Sequence, residues 1–97
     1  MLGKMTDVQK SYRLKRLIYQ SNHRGCKELD IVLGSFANLQ LSLLSDAELD
    51  SYEELCLEDE WQIYYWITGD KEAPQQFKGI ILLIQQFINK NKICQQI

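Results

Sequence analysis

The stretch ELDIVLGSFANLQLSLLSDAEL, Glu28–Leu49, decides the fold. Leu29, Val32, Leu33, Phe36, Leu39 and Leu43 recur at i, i+3, i+4, i+7 spacing, which lines up one buried face of an α-helix. Strand-like alternation at every second residue is absent. Ser45-Asp46-Ala47-Glu48 then has the S-x-x-E form of a capping box, in which Ser45 and Glu48 satisfy each other's free amides. It opens a further helix that carries Leu49, Tyr52, Leu55 and Cys56 inward. Upstream, Thr6-Asp7 starts a helix with an irregular stripe of Tyr12, Leu14, Leu17 and Ile18, ending just before Arg24-Gly25. Downstream, Glu58-Asp59-Glu60 supplies negative charge where a helix dipole is positive, and Gly69 is a natural stop. Trp61, Tyr64 and Tyr65 are expected on one face of that short helix, with Trp66 beside them. After Pro74, Phe77, Ile80, Ile81, Ile84, Phe87 and Ile88 are in helical register, with Leu82 and Leu83 widening the stripe. The expectation is an all-α, single-domain five-helix bundle over residues 1–97, ordered over about 6–90, with frayed tails at 1–5 and 91–97.

The 97-residue length allows one core, and 45% hydrophobic residues with a single proline fit a compact chain. Charge is unevenly spread. Residues 1–27 hold seven Lys/Arg against one acid, whereas residues 28–70 hold eleven Asp/Glu and no Lys or Arg. Such a division orients a partner on approach. The acidic stretch and the overall pI near 5.3 argue against a nucleic-acid partner. Cys26, Cys56 and Cys94 are odd in number and widely spaced, so neither a disulfide framework nor a metal site is expected. The longest apolar run, Ile80–Ile84, is far short of the roughly 20 residues that span a bilayer, and no membrane insertion is expected. With no visible secretory or transit segment, the reading places the chain in a bacterial cytoplasm and disfavours the mitochondrial matrix. A monomer is expected when the chain is free.

No catalytic motif emerges. There is one histidine, and no phosphate loop, GxSxG or HExxH pattern. His23 near Cys26 suggests a nucleophile pair only in name, because nothing in the sequence orients the histidine. The carboxylates Glu58, Asp59 and Glu60 are explained by their place at a helix start. Trp61, Tyr64, Tyr65 and Trp66 cannot all be buried on one short helix, so some aromatic surface is left of the kind enriched at interfaces. The seam HRGCKELD, His23–Asp30, admits two readings. By local rules it is a helix stop followed by helix-start acids Glu28 and Asp30. Alternatively, Gly25 lets a partner's backbone lie close while Arg24 and Glu28 act as donor and acceptor on either side.

The seam resembles the RGxxELD signature of the succinate dehydrogenase flavinylation factors, carried here by Arg24-Gly25-Cys26-Lys27-Glu28-Leu29-Asp30. The likeness continues through Leu44–Leu49, Tyr52-Glu53, Leu55, Trp66-Ile67-Thr68-Gly69 and Pro74, covering about residues 10–75. Cys26 stands where members of that family commonly have methionine. The resemblance implies a five-helix assembly factor that is not an enzyme. It implies binding to the flavoprotein subunit of succinate dehydrogenase, or in some bacteria fumarate reductase, and covalent attachment of FAD to a histidine of that partner. The factor itself is expected to hold no FAD stably. Arg24, Gly25 and Glu28 would form the contact surface, with Asp30, Cys26 and His23 completing it. Some members also carry an antitoxin label, which implies a protein-binding module without a role in flavinylation.

Overall fold

Local chemistry starts and stops each helix in the computed structural model, which describes residues 7–91. Five α-helices follow one another: α1 (Asp7–Ser21), α2 (Lys27–Gln40), α3 (Asp46–Leu55), α4 (Glu60–Thr68) and α5 (Lys78–Asn91). Two short 3₁₀ turns, Leu41–Leu43 and Gln75–Phe77, close α2 and lead into α5. Among the described residues there is no strand, and no helix is long and apolar enough to cross a membrane. The expected tails at 1–5 and 91–97 lie outside the described residues, apart from Asn91, which ends α5.

The capping box before α3 is complete. Ser45 Oγ accepts from the Glu48 amide at 3.1 Å, and Glu48 Oε1 accepts from the Ser45 amide at 2.9 Å. Asp59 caps α4 by accepting from the amides of Trp61 and Gln62. At the other end of α4, Gly69 takes φ +89°, and its amide donates to Tyr65 O. Gln85 of α5 then donates Nε2–H to the free carbonyls of Trp66 and Ile67 at 3.2 and 3.1 Å, tying α5 to the end of α4.

One continuous core runs through all five helices. It contains Leu17 of α1, Leu29, Val32, Leu33 and Phe36 of α2, Leu49, Tyr52 and Leu55 of α3, Ile63, Trp66 and Ile67 of α4, and the isoleucines of α5. Two expectations about the apolar stripes are corrected here, one at the end of α2 and one at Leu82. Leu39 and Leu43 are 61% and 72% exposed, and Leu41 and Leu44 are buried in their place. For Leu43 the cause is the backbone break at Gln40 (φ −120°), after which the chain tightens to three residues per turn, whereas Leu39 is still in α2 and lies at the edge of its buried stripe. On α4 the inward face is Ile63, Trp66 and Ile67. Trp66 packs on Phe77, whereas Trp61, Tyr64 and Tyr65 meet one another edge-on or tilted, with Trp61 exposed and Tyr64 packed against the margin of the core. Leu82 is 53% exposed and stands outside the α5 stripe.

The charge asymmetry is largely spent inside the molecule. Lys10 pairs with Asp46 at 3.6 Å, Arg13 with Asp50 at 2.8 Å and Glu53 at 2.6 Å, and Arg16 with Glu53 at 2.9 Å. These partners ascend together along both helices, so α1 and α3 run side by side in the same direction and α2 supplies the return. Burial works against ionising Glu53, but the hydrogen bonds and charges of Arg16 and Arg13 outweigh it and hold the carboxyl below its ordinary range.

Candidate functional site

The seam between α1 and α2 is a five-residue connection, Asn22–Cys26, bent at Arg24-Gly25. Helix α1 ends at Ser21, slightly earlier than the sequence suggests. The amide of Asn22 still bonds to Ile18 O, and that of His23 to Gln20 O. Gly25 takes φ +92° and is exposed, and a Cβ built there would meet nothing within 4 Å. The glycine is therefore required by its backbone angle and not by crowding within the chain.

Asp30, in the first turn of α2, secures the bend. Its Oδ1 accepts from the Arg24 amide at 2.7 Å, while its own amide donates to Cys26 O at 2.8 Å. Cys26 occupies the cap position of α2 with extended backbone and makes no side-chain cap. Its thiol instead lies 3.5 Å from Glu28 Oε1, a contact within the reach of a weak S–H donor. Glu28 is half-buried beside it, where the dipole of α2 favours its charge. Cys26 and Cys56 are both free thiols, and Cys94 lies outside the described residues. His23 is exposed, stacked on Tyr19 with ring centroids 4.1 Å apart, and its Nδ1 is 2.8 Å from Tyr19 O.

Arg24 does not project from the seam. Its side chain is 9% exposed and crosses to the connection between α3 and α4. There Nη1 donates to Cys56 O at 2.8 Å, and Nη2 donates to Glu58 O at 3.2 Å and lies 3.5 Å from Glu60 Oε2. Nε is buried without a hydrogen-bond partner. The fork expected to face a partner is thus engaged within the chain.

A cleft of about 420 Å³ opens beside this bridge. Arg16, Tyr19 and His23 line it from the α1 side, and Glu53, Leu57 and Glu60 from the opposite side. Within the core, the hydroxyls of Ser21 and Tyr52, both fully buried, share a 2.5 Å hydrogen bond, and Ser21 Oγ also bonds to Leu17 O. Burial pushes the Tyr52 phenol far above its usual range. Burial likewise pushes the Cys56 thiol up, against the opposing charge of Arg24. The site therefore offers a bent glycine, a half-buried carboxylate and an open cleft with an exposed rim that includes Tyr19 and Leu57. Such an arrangement suits recognition of a protein surface. Sequence reasoning missed Tyr19, Leu57 and Glu60 as members of the site. It also missed the acceptors of Arg24, two of which are backbone carbonyls and leave no trace in residue identity.

Comparison with known proteins bears on the same region. The family described as flavinator of succinate dehydrogenase matches residues 15–88. The chain is 45% identical to succinate dehydrogenase assembly factor 2, mitochondrial, of Meyerozyma guilliermondii, across 82% of this chain and 62% of that protein. It is 36% identical to the protein of the same name from Schizosaccharomyces pombe, across 95% of this chain and 67% of that protein. With the Scheffersomyces stipitis protein it shares 51% identity across 73% of this chain and 51% of that one. The chain thus spans about three-fifths of the length of several curated relatives it matches. These relatives overturn the bacterial cytoplasmic placement, because they are eukaryotic, from yeasts to fish, and carry the designation mitochondrial. The reasoning from the N-terminal residues fails because the chain matches only part of each relative's length. The match over residues 15–88 and the identity to these relatives show that the chain belongs to the family of flavinators of succinate dehydrogenase.

Proposed function

We propose that this protein is a mitochondrial assembly factor that docks on the flavoprotein subunit of succinate dehydrogenase and promotes covalent attachment of FAD to it. The observation that carries this reading is the family match over residues 15–88, which includes the exposed Gly25 bend and the Glu28 carboxylate beside it. In this reading the chain is a helper and not an enzyme, and FAD is the partner's group. A helper needs only to bind the reaction-competent conformation of its partner more tightly than the others. A preference of about 3 kcal/mol enriches that conformation by roughly two orders of magnitude. Gly25 allows the close approach, Glu28 offers an acceptor, and Asp30 keeps the bend in place. His23 and Cys26 flank the same contact.

Co-expression of the flavoprotein with wild-type protein, Glu28→Ala or Gly25→Arg, followed by in-gel flavin fluorescence, tests the reading. Wild type is expected to support covalent FAD and both variants to lose most of it. Unchanged flavinylation with both variants would sink the site assignment. Recovery from cells of a small toxin in place of the flavoprotein would favour the antitoxin-like alternative.

A further inference from the structure

We propose that Asn22 is a positioning residue: seated on Gly34 of α2, it sets where Gly25 stands relative to Glu28 when the partner docks. The inference rests on the reading that this seam contacts the flavoprotein subunit.

Gly34 is buried in the middle of α2, where only proline is a poorer helix former than glycine. A Cβ at this position would collide with Asn22 Oδ1 and stand 3.0 Å from Asn22 Cγ. The side-chain amide of Asn22 therefore fills the space that any other residue at position 34 would need. Its Nδ2 donates to Ile18 O at 2.8 Å and lies 3.4 Å from Asn38 Oδ1, one turn beyond Gly34 on α2. The backbone amide of Asn22 bonds to Ile18 O and Tyr19 O. One residue thus ends α1 and fastens that end to two positions on the same face of α2.

The seam departs from this point. Two residues on, the Arg24 amide is tied to α2 a second time, through Asp30 Oδ1. The Arg24 guanidinium runs to the connection between α3 and α4, so Asn22 and Asp30 are the side chains that hold the seam against α2. Gly25 follows directly, in open surroundings. Glu28 belongs to α2 itself. A displaced Asn22 therefore moves Gly25 while Glu28 stays, and a partner that needs both must recognise their spacing. The unfavourable glycine inside α2 has its rationale in this seat.

The test is a double-mutant cycle on the full chain. Covalent FAD on the purified flavoprotein is titrated against the chain by in-gel fluorescence, and the amide resonances of Gly25 and Glu28 are followed by NMR. Asn22→Ala removes the seated group, whereas Gly34→Ala displaces it while improving the helix propensity of α2. Each is expected to shift the Gly25 resonance relative to that of Glu28. Each should also raise the half-maximal concentration about tenfold, the change expected when roughly a tenth of the molecules hold the competent seam. Because Gly34→Ala acts through Asn22, the double variant should match Asn22→Ala and not multiply the two effects. Ile84→Val, a small truncation in the core of α5, controls for lost stability and should keep the wild-type half-maximal concentration. Multiplicative effects, wild-type titrations in both single variants, or an equal effect of Ile84→Val would each overturn the proposal. So would weaker flavinylation with the Gly25 resonance unmoved, which would make Asn22 a direct contact. If Gly34→Ala failed to fold, Asn22→Ala beside Ile84→Val would decide alone. A wild-type chain that leaves flavinylation unchanged would instead overturn the reading of function on which the proposal rests.

Discussion

At the scale of single residues, Gly25 and Arg24 do different work although they are neighbours in one signature. Gly25 is fixed by φ +92° in open surroundings, so its replacement is penalised by the backbone before any partner is present. Gly25→Ala should lower stability by about 1–2 kcal/mol, and Gly25→Asn by less, because asparagine tolerates this region better. Urea denaturation would check both; an alanine variant as stable as wild type would show that the bend relaxes freely. The comparison separates two effects that Gly25→Arg mixes, the backbone penalty and the bulk offered to a partner. The punctuation reading of the seam was legible, because a glycine after poor helix formers and before two acids can be judged locally. The inward course of Arg24 was not. Its acceptors lie more than 30 residues away, and two are carbonyls that any residue would provide.

At the scale of helices, legibility follows how far periodicity alone decides burial. Helix α3 is read correctly, since its cap and its inward Leu49, Tyr52 and Leu55 are all local signals. Leu43 is misread because the stripe extrapolates 3.6-residue turns past Gln40, where the backbone has already left the helix, and Leu39 because it stands at the edge of the stripe and not in it. On α4 the aromatics are the conspicuous residues, yet Ile63, Trp66 and Ile67 are buried, and the other rings make edge-on contacts with one another nearer the surface. The pairing of α1 with α3 could be guessed only once both faces were placed side by side. Glu53, held by Arg13 and Arg16, makes that pairing measurable. Its folded-state pKa is depressed, so its contribution is fully present above the unfolded value of about 4.3 and is lost as pH falls through the lower folded value. Stability should therefore decline on acidification below about pH 5, and Glu53→Gln should flatten that part of the profile while being less stable at pH 7. Parallel pH profiles for the two proteins would show that the ion pairs between α1 and α3 contribute nothing.

At the scale of the molecule, one ladder of buried rings joins four helices. Ser21 of α1 bonds to Tyr52 of α3, Tyr52 stacks on Phe36 of α2 at 5.6 Å, and Phe36 meets the edge of Phe87 of α5 at 5.6 Å. Trp66 and Phe77 extend the same core into α4 and the approach to α5. The all-α class was legible from spacing, whereas this ladder was not. A polar serine at a helix end gives no hint that it is fully buried against a tyrosine 31 residues later. No helix owns a core of its own, so the chain should unfold in one cooperative step. Tyr52→Phe removes one hydroxyl while Ser21 keeps Leu17 O as acceptor, and the expected loss is about 1 kcal/mol. Tyr52→Ala removes the whole rung and should cost about 3–5 kcal/mol, a large part of the roughly 5–15 kcal/mol available to a domain of this size. In each protein, far-UV circular dichroism and the near-UV signal dominated by buried Trp66 should give one midpoint, displaced together by the substitution. If the tryptophan signal melted separately from the helical signal, α4 and α5 would form an independent unit. Loss of the α1–α3 contact would then leave that unit folded, contrary to a ladder that couples the seam to the far end of the bundle.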